Sequence, residues 1–440
     1  MSQPRWVSDS VLQREIGVFG ATLMGLGSIL GTGVFVSLAI AAGVAGPSVI
    51  LATALAALVA TCNALSSAQL AAAHPISGGT YEYGYQFLTP RLGFTAGWMF
   101  LCAKSASAAT AGLGFAGYVL NAAGMSGEAS RIVLAVVAVA VLTAIAAGGV
   151  TRSNRANVAI VGLTVVALLA FVATVLPAAM AKGSANLTPF FRSESGEGWT
   201  TTKSLLHATA LMFVAYTGYG RIATLGEEVK EPRKTIPRAI VTTLVVSASL
   251  YILVALAAVG AAGSEVLAQS TAKAAAPLEI IAREFGRIPG GAWIVALGAV
   301  TAMLGVLLNL ILGLSRVLLA MGRRGDAPGA LSRINQTKNT PYVAVWVIGI
   351  AVGALCLLGD VKTTWSFSAF TVLVYYAITN FAALRLPPEH RLYPRAWAWG
   401  GLASCLFLAF WVEPRIWFIG LMMIGLGLVW FTAARRVSAP

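Results

Sequence analysis

Apolar residues recur in runs of about 20 from Val18 to Ala434, with short polar stretches between them. A helix takes roughly 20 residues to cross a ~30 Å hydrocarbon core, so this pattern predicts membrane-spanning helices. The crossings fall near 18–42, 47–71, 93–121, 130–148, 156–178, 203–225, 237–261, 291–320, 342–358, 363–384, 397–412 and 415–434. Between the last two, Val412-Glu413-Pro414 leaves room only for a tight turn. The stretch 263–290 carries Glu265, Glu279, Arg283 and Glu284 with Ile280, Ile281 and Phe285 among them, which predicts a short amphipathic surface helix or lid. The expected fold is an all-α integral membrane protein of about 12 transmembrane helices, with no loop long enough for a separate soluble domain.

Composition agrees: 58% of the 440 residues are hydrophobic and 10% are charged, against about 25% charged in a soluble protein. This excludes secreted, nucleic-acid-binding and soluble enzyme classes. The net charge of +14 would suggest nucleic acid in a soluble protein, but here it reads as topology. With a cytoplasmic N-terminus at 1–17, eighteen Lys and Arg fall in inner segments and nine in outer ones. The positive-inside rule then places both termini in the cytoplasm, as for a multi-pass protein of the plasma membrane. Met1 to Gly17 holds Asp9 and Glu15 and has no short apolar h-region, so no cleaved signal peptide is expected. Cys62, Cys102, Cys356 and Cys405 sit in apolar runs without metal-ligand spacing and read as packing residues. His74, His207 and His390 are scattered, and no paired intramembrane carboxylates occur, so neither an enzyme nor a metal or other cofactor is expected.

Irregular backbone survives in a bilayer only where protein or a watery cavity satisfies its polar groups, which makes clustered glycine in a crossing informative. The first crossing contains Gly25-Leu26-Gly27-Ser28-Ile29-Leu30-Gly31-Thr32-Gly33, and the sixth contains Tyr216-Thr217-Gly218-Tyr219-Gly220-Arg221. Small residues also let helices pack closely, and that explanation competes for each segment alone. Their correspondence favours breaks. The two crossings open the halves of a five-plus-five inverted repeat, 18–178 and 203–384, followed by two C-terminal helices at 397–434. Freed N–H groups and helix ends would receive a carboxylate, and freed carbonyls an ammonium; an amino acid has both.

Three cations lie within or at the ends of crossings: Lys104, Arg221 and Arg316. Lys104 lies about ten residues into its crossing, roughly 15 Å deep, beside small residues such as Ser105, Ser107 and Thr110. An ion at that depth is a functional candidate: a proton-coupling group, a partner for a substrate carboxylate, or a snorkelling side chain. Arg221 follows the second break, as a fixed charge on a carboxylate, part of an inner gate with Glu227 or Glu228, or an interfacial residue bonded to carbonyls. All 16 Asp and Glu fall in loops or at helix ends, so a cationic substrate would lack a counter-ion, and neutral or anionic ones fit better. Asn309, the one amide deep in the eighth crossing, is a candidate for hydrogen bonding in a pocket or ion site, or for packing.

These residues resemble those of amino acid permeases of the amino acid-polyamine-organocation superfamily. The resemblance rests on Gly27-Ser28-Ile29-Leu30-Gly31-Thr32-Gly33-Val34-Phe35, on Phe213 to Tyr219 followed by Glu227-Glu228-Val229-Lys230-Glu231-Pro232, on Pro75-Ile76-Ser77-Gly78-Gly79-Thr80-Tyr81, and on Ser315-Arg316 with Ala320 to Gly325 and Thr340-Pro341. It covers most of 15–345 and implies the leucine-transporter-like fold. Substrate would lie between the breaks in helices one and six, at Ser28, Ile29, Gly31, Thr32, Gly33, Phe213, Tyr216, Gly218 and Tyr219, walled by helices three and eight. Tyr216 and Tyr219 would line or gate it, or only pack. Similar members often carry a lysine in helix five in place of a sodium ion; that position here is Thr164, which cannot titrate, and Lys104 is the obvious substitute. The resemblance implies secondary transport of an amino acid by a monomer or homodimer in the lipid bilayer, with H+ or Na+ as coupling ion, or exchange. The competing expectations are a carrier of another small amine or organic anion, and a sensor that keeps the fold without transport.

Overall fold

The computed structural model describes residues 16–76, 78–149, 154–191, 198–223, 228–335 and 340–437. Helix dominates, and the β-bridges among the described residues are isolated, at Ile16 with Val229 and Asn335 with Thr340. The stretch predicted as the first crossing is α1 (Val18–Ile29), an irregular joint, a π-helical turn at Gly33–Ser37 and α2 (Leu38–Ala45). Next come α3 (Val49–Ala73), the short α4 (Thr80–Phe87), α5 (Pro90–Ala122), α6 (Glu128–Ala147) and α7 (Asn154–Lys182). The stretch predicted as the sixth crossing is likewise divided into α8 (Gly198–Tyr216), a 3-10 turn at Thr217–Tyr219, and α9 (Gly220–Ala223). After it run α10 (Pro232–Ala262), α11 (Ser264–Ala274), α12 (Pro277–Phe285), α13 (Gly291–Arg324), α14 (Tyr342–Cys356), α15 (Val361–Leu384), α16 (Arg395–Ala409) and α17 (Pro414–Val437). Seven helical stretches among the described residues are long and apolar enough to cross a membrane.

The region 263–290 forms two helices where one was expected, and they are docked: Leu278, Glu279, Ile281 and Ala282 are buried. The joint is Ala275, at φ +54°. It fits because Gly117 on α5 has no side chain; a Cβ there would strike the Ala274 carbonyl.

Local chemistry starts the helices that form the site. Thr89 caps α5 by accepting from the Leu92 N–H at 3.3 Å, with Pro90 in the first turn. Asp360 caps α15 through the Lys362 and Thr363 N–H groups, both at 3.0 Å. The two helices then pack through hydroxyl pairs on successive turns, Ser107 with Ser368 at 2.7 Å and Thr110 with Thr364 at 2.8 Å. Small polar residues let the backbones approach and fix the register of α15 against α5.

Candidate functional site

The first helix stops at Ile29 because Leu30 turns extended (φ −72°, ψ 97°), and helix resumes after Gly31. The N–H groups of Thr32 and Gly33, in the first turn after the joint, have no helical partner behind them. Two buried tyrosines satisfy freed carbonyls: Tyr251 on α10 donates to Ile29 O at 2.7 Å, and Tyr376 on α15 donates to Thr217 O at 3.2 Å. The breaks touch. A Cβ on Gly218 would collide with the Ser28 carbonyl, and one on Gly33 would lie 2.6 Å from the Ala215 Cβ. Glycine is required at both places by this close approach.

A cavity opens at this junction. Ser28, Ile29, Thr32 and Gly33 line it from the first break, and Val214, Ala215, Thr217 and Gly218 from the second. Lys104 and Ser107 come from α5, Val306 and Leu310 from α13, and Trp365 from α15. The space open to the centre of a water-sized sphere is about 40 Å³, against roughly 10–15 Å³ for one water. A larger ligand must widen it. Lys104 is buried and donates to Thr217 Oγ1 at 2.7 Å, while the Thr217 hydroxyl donates to Val214 O at 2.7 Å, which leaves a lone pair for the amine. Its burial removes the snorkelling reading. Every other residue in the wall is uncharged, and no carboxylate is among them.

The two ends of the site differ. Toward α12, Tyr118 donates to Phe35 O at 2.9 Å and accepts from the Leu278 N–H at 3.3 Å, and the stretch Thr32 to Leu38 is buried. Toward the start of α1, Ser28, Gly218, Gly220, Arg221 and Leu310 are only half-buried. Arg221 is within electrostatic reach of Arg316 and Glu228 there. Ile16 pairs with the segment after α9, through Ile16 N to Glu228 O at 3.1 Å and Lys230 N to Ile16 O at 2.9 Å, tying α1 to that segment. Beside this end, Asp326 accepts from Tyr81 at 2.7 Å and Tyr85 at 2.5 Å, and Arg324 pairs with Glu82 at 2.7 Å. Burial pushes the Glu82 carboxyl up, and Arg324 partly offsets it.

The cavity thus brings together Ser28, Ile29, Thr32, Gly33, Lys104 and Gly218 of the expected residues. The others lie elsewhere. Gly31 packs against Val306, where a Cβ would sit 2.6 Å from a methyl. Phe213 packs edge-on and Tyr219 tilted against Tyr376, at centroid distances of 5.7 and 5.5 Å, and Tyr216 donates to Thr53 O at 3.3 Å, so these aromatics back the wall without lining it. Asn309 is half-buried on α13 between the lining residues Val306 and Leu310 and is not in the wall. Thr164 is buried and donates to Ile160 O at 2.7 Å within its own helix. Glu227 lies outside the described residues. Ser107 is one of the small residues beside Lys104 that suit a cavity-facing helix; Thr217 and Trp365 are lining residues the sequence does not single out, and only Thr217, beside Gly218, carries a visible signal.

The amino acid permease family matches residues 20–438. An uncharacterized transporter of Mycobacterium tuberculosis is 39% identical over 99% of this chain and 94% of its own length. A branched-chain amino acid permease of Bacillus subtilis is 29% identical over 98% of this chain and 95% of its own. The chloroplastic cationic amino acid transporter 7 of Arabidopsis thaliana is 26% identical over 88% of this chain and 68% of its own. With two divided helices, a cavity between them and a match along nearly its whole length, the chain belongs to the amino acid permease family of multi-pass membrane transporters.

Proposed function

We propose that this protein is a secondary transporter of neutral amino acids with aliphatic side chains, working by alternating access. The observation that carries the reading is the cavity at the meeting of the two breaks, with one buried amine and no acid in its wall. The Thr32 and Gly33 N–H groups and Lys104 would hold a carboxylate. Val214, Val306, Leu310 and Trp365 would meet an apolar side chain. A cationic side chain would find no counter-charge. That the Bacillus subtilis relative is a branched-chain amino acid permease supports this choice.

Lys104 is the coupling group in this reading, taking the part of the uncharged Thr164, either by carrying a proton or by being neutralised by substrate during exchange. The matching breaks support an inverted repeat of five plus five helices within about 12 crossings. The basic excess supports an orientation with the start of α1 toward the cytoplasm of the cell. Uptake into proteoliposomes tests the proposal. Labelled leucine, isoleucine or valine should accumulate under an inward proton gradient or exchange with internal substrate, while arginine should not. Inactivity toward all amino acids would sink it.

A further inference from the structure

From the placement of one ring we infer that Trp365 sets the upper size limit of the transported side chain, an inference that rests on the functional reading above. Two rulers locate it. On α5, Lys104 and Ser107 line the cavity one turn apart, and the next turn is Thr110. Ser107 and Thr110 pair with Ser368 and Thr364, so the backbone of Trp365 lies at the level of the Ser107 to Thr110 turn, roughly 4–9 Å along α5 from Lys104. On α8, the Trp365 indole N–H donates to Leu211 O at 2.9 Å. Leu211 precedes Thr217, which accepts from Lys104, by six residues, again roughly 9 Å. Both measures put the indole at the end of the site away from the amine.

A substrate held by its carboxylate at Lys104 therefore directs its side chain toward this ring. Trp365 is 3% exposed. It cannot swing aside cheaply, because that would break the bond to Leu211 and leave the indole N–H unpartnered in an apolar setting. Its neighbour Thr364 and Ser368 one turn on are held to α5, so α15 cannot slide to make room. An aliphatic side chain stops against the ring, and an aromatic one needs the space the ring fills.

The test is competition between leucine and phenylalanine, with leucine flux of the wild type measured first. In Trp365→Ala the ratio of kcat/KM for phenylalanine to that for leucine should rise by at least about tenfold. Trp365→Phe, which keeps part of the volume and loses the N–H, should shift it less. If Trp365→Ala does not fold, Trp365→Leu reads the same ratio, and binding of phenylalanine to the purified variant is followed by the rise in Tm. A ratio unchanged in a variant that still transports leucine overturns the inference. Absence of leucine flux in the wild type would instead defeat the functional reading.

Discussion

The two ends of the cavity are closed by different physics. Toward α12 the closure is dry: Phe35, Val36 and Ser37 are fully buried, and Tyr118 joins the π-helical turn to α12 through backbone groups. Toward the start of α1 the same helices carry charges and half-exposed positions, with Arg221, Glu228 and Arg316 gathered there. Opening the dry end means parting packed apolar surface. Opening the charged end means rehydrating groups that water already approaches. The difference gives each end of the cavity its own kind of contact, and the transport reading proposed above would have to break them separately.

The largest effect is expected where both ends depend on one contact. Gly218→Val would drive a side chain into the Ser28 carbonyl, which is backbone and has nowhere to go. Loss of the monodisperse folded protein, or of all transport where some folds, is the expected outcome by size-exclusion chromatography and uptake. Near-normal flux would show that the breaks do not touch in the working protein. Lys104→Ala comes next. It removes the one charge in the wall, so the response to a proton gradient should disappear while some exchange persists. Wild-type gradient dependence would remove Lys104 from coupling and leave it a ligand only.

Asp326→Ala tests the scaffold at the charged end. It strips the shared acceptor from Tyr81 and Tyr85 and leaves both hydroxyls short of a partner. Destabilisation of about 2–4 kcal/mol is expected from lost hydrogen bonds to a charged group, read as a lower Tm. Asp326→Asn keeps an acceptor and should recover part of it.

How much of this was visible beforehand depended on whether a residue violates the rules of its surroundings. Glycine clusters and a lone lysine are costly in a membrane helix, so 25–33, 216–221 and Lys104 stood out without knowing any helix rotation. Residues that suit a helix interior gave no such signal. Phe213, Tyr216 and Tyr219 enter the expected site through the family resemblance, with packing as the alternative for the tyrosines, and packing is what the structure has: Phe213 and Tyr219 meet Tyr376, and Tyr216 bonds Thr53 O, behind the wall. Ser107 and Thr110 are visible only as small residues beside Lys104; Trp365 and the partners Ser368 and Thr364 carry no signal, since their meaning lies in which face of α15 meets α5. Gly31, Gly33 and Gly218 were legible as a group, while the partner each one admits came only from the packing.

The smallest of these effects isolates the dry lock itself. Tyr118→Phe keeps the ring, which packs edge-on to Phe35 at 6.0 Å, and deletes only the hydroxyl that bonds Phe35 O and the Leu278 N–H. Hydrogen bonds between membrane helices average about 0.6 kcal/mol and reach about 1.7, so losing two should weaken this closure by roughly 1–3 kcal/mol. At 1.4 kcal/mol per tenfold, the population open at the α12 end should rise by roughly 5- to 140-fold. A single cysteine introduced as Ser37→Cys, in a background without the native cysteines, would report this as faster labelling by a charged maleimide. The same measurement at Ser28→Cys discriminates the cause. If the ends alternate, labelling there falls as the other rises, because one population grows at the expense of the other. If both rates rise together, the hydroxyl was merely holding the bundle tight, and the two ends are not reciprocal locks.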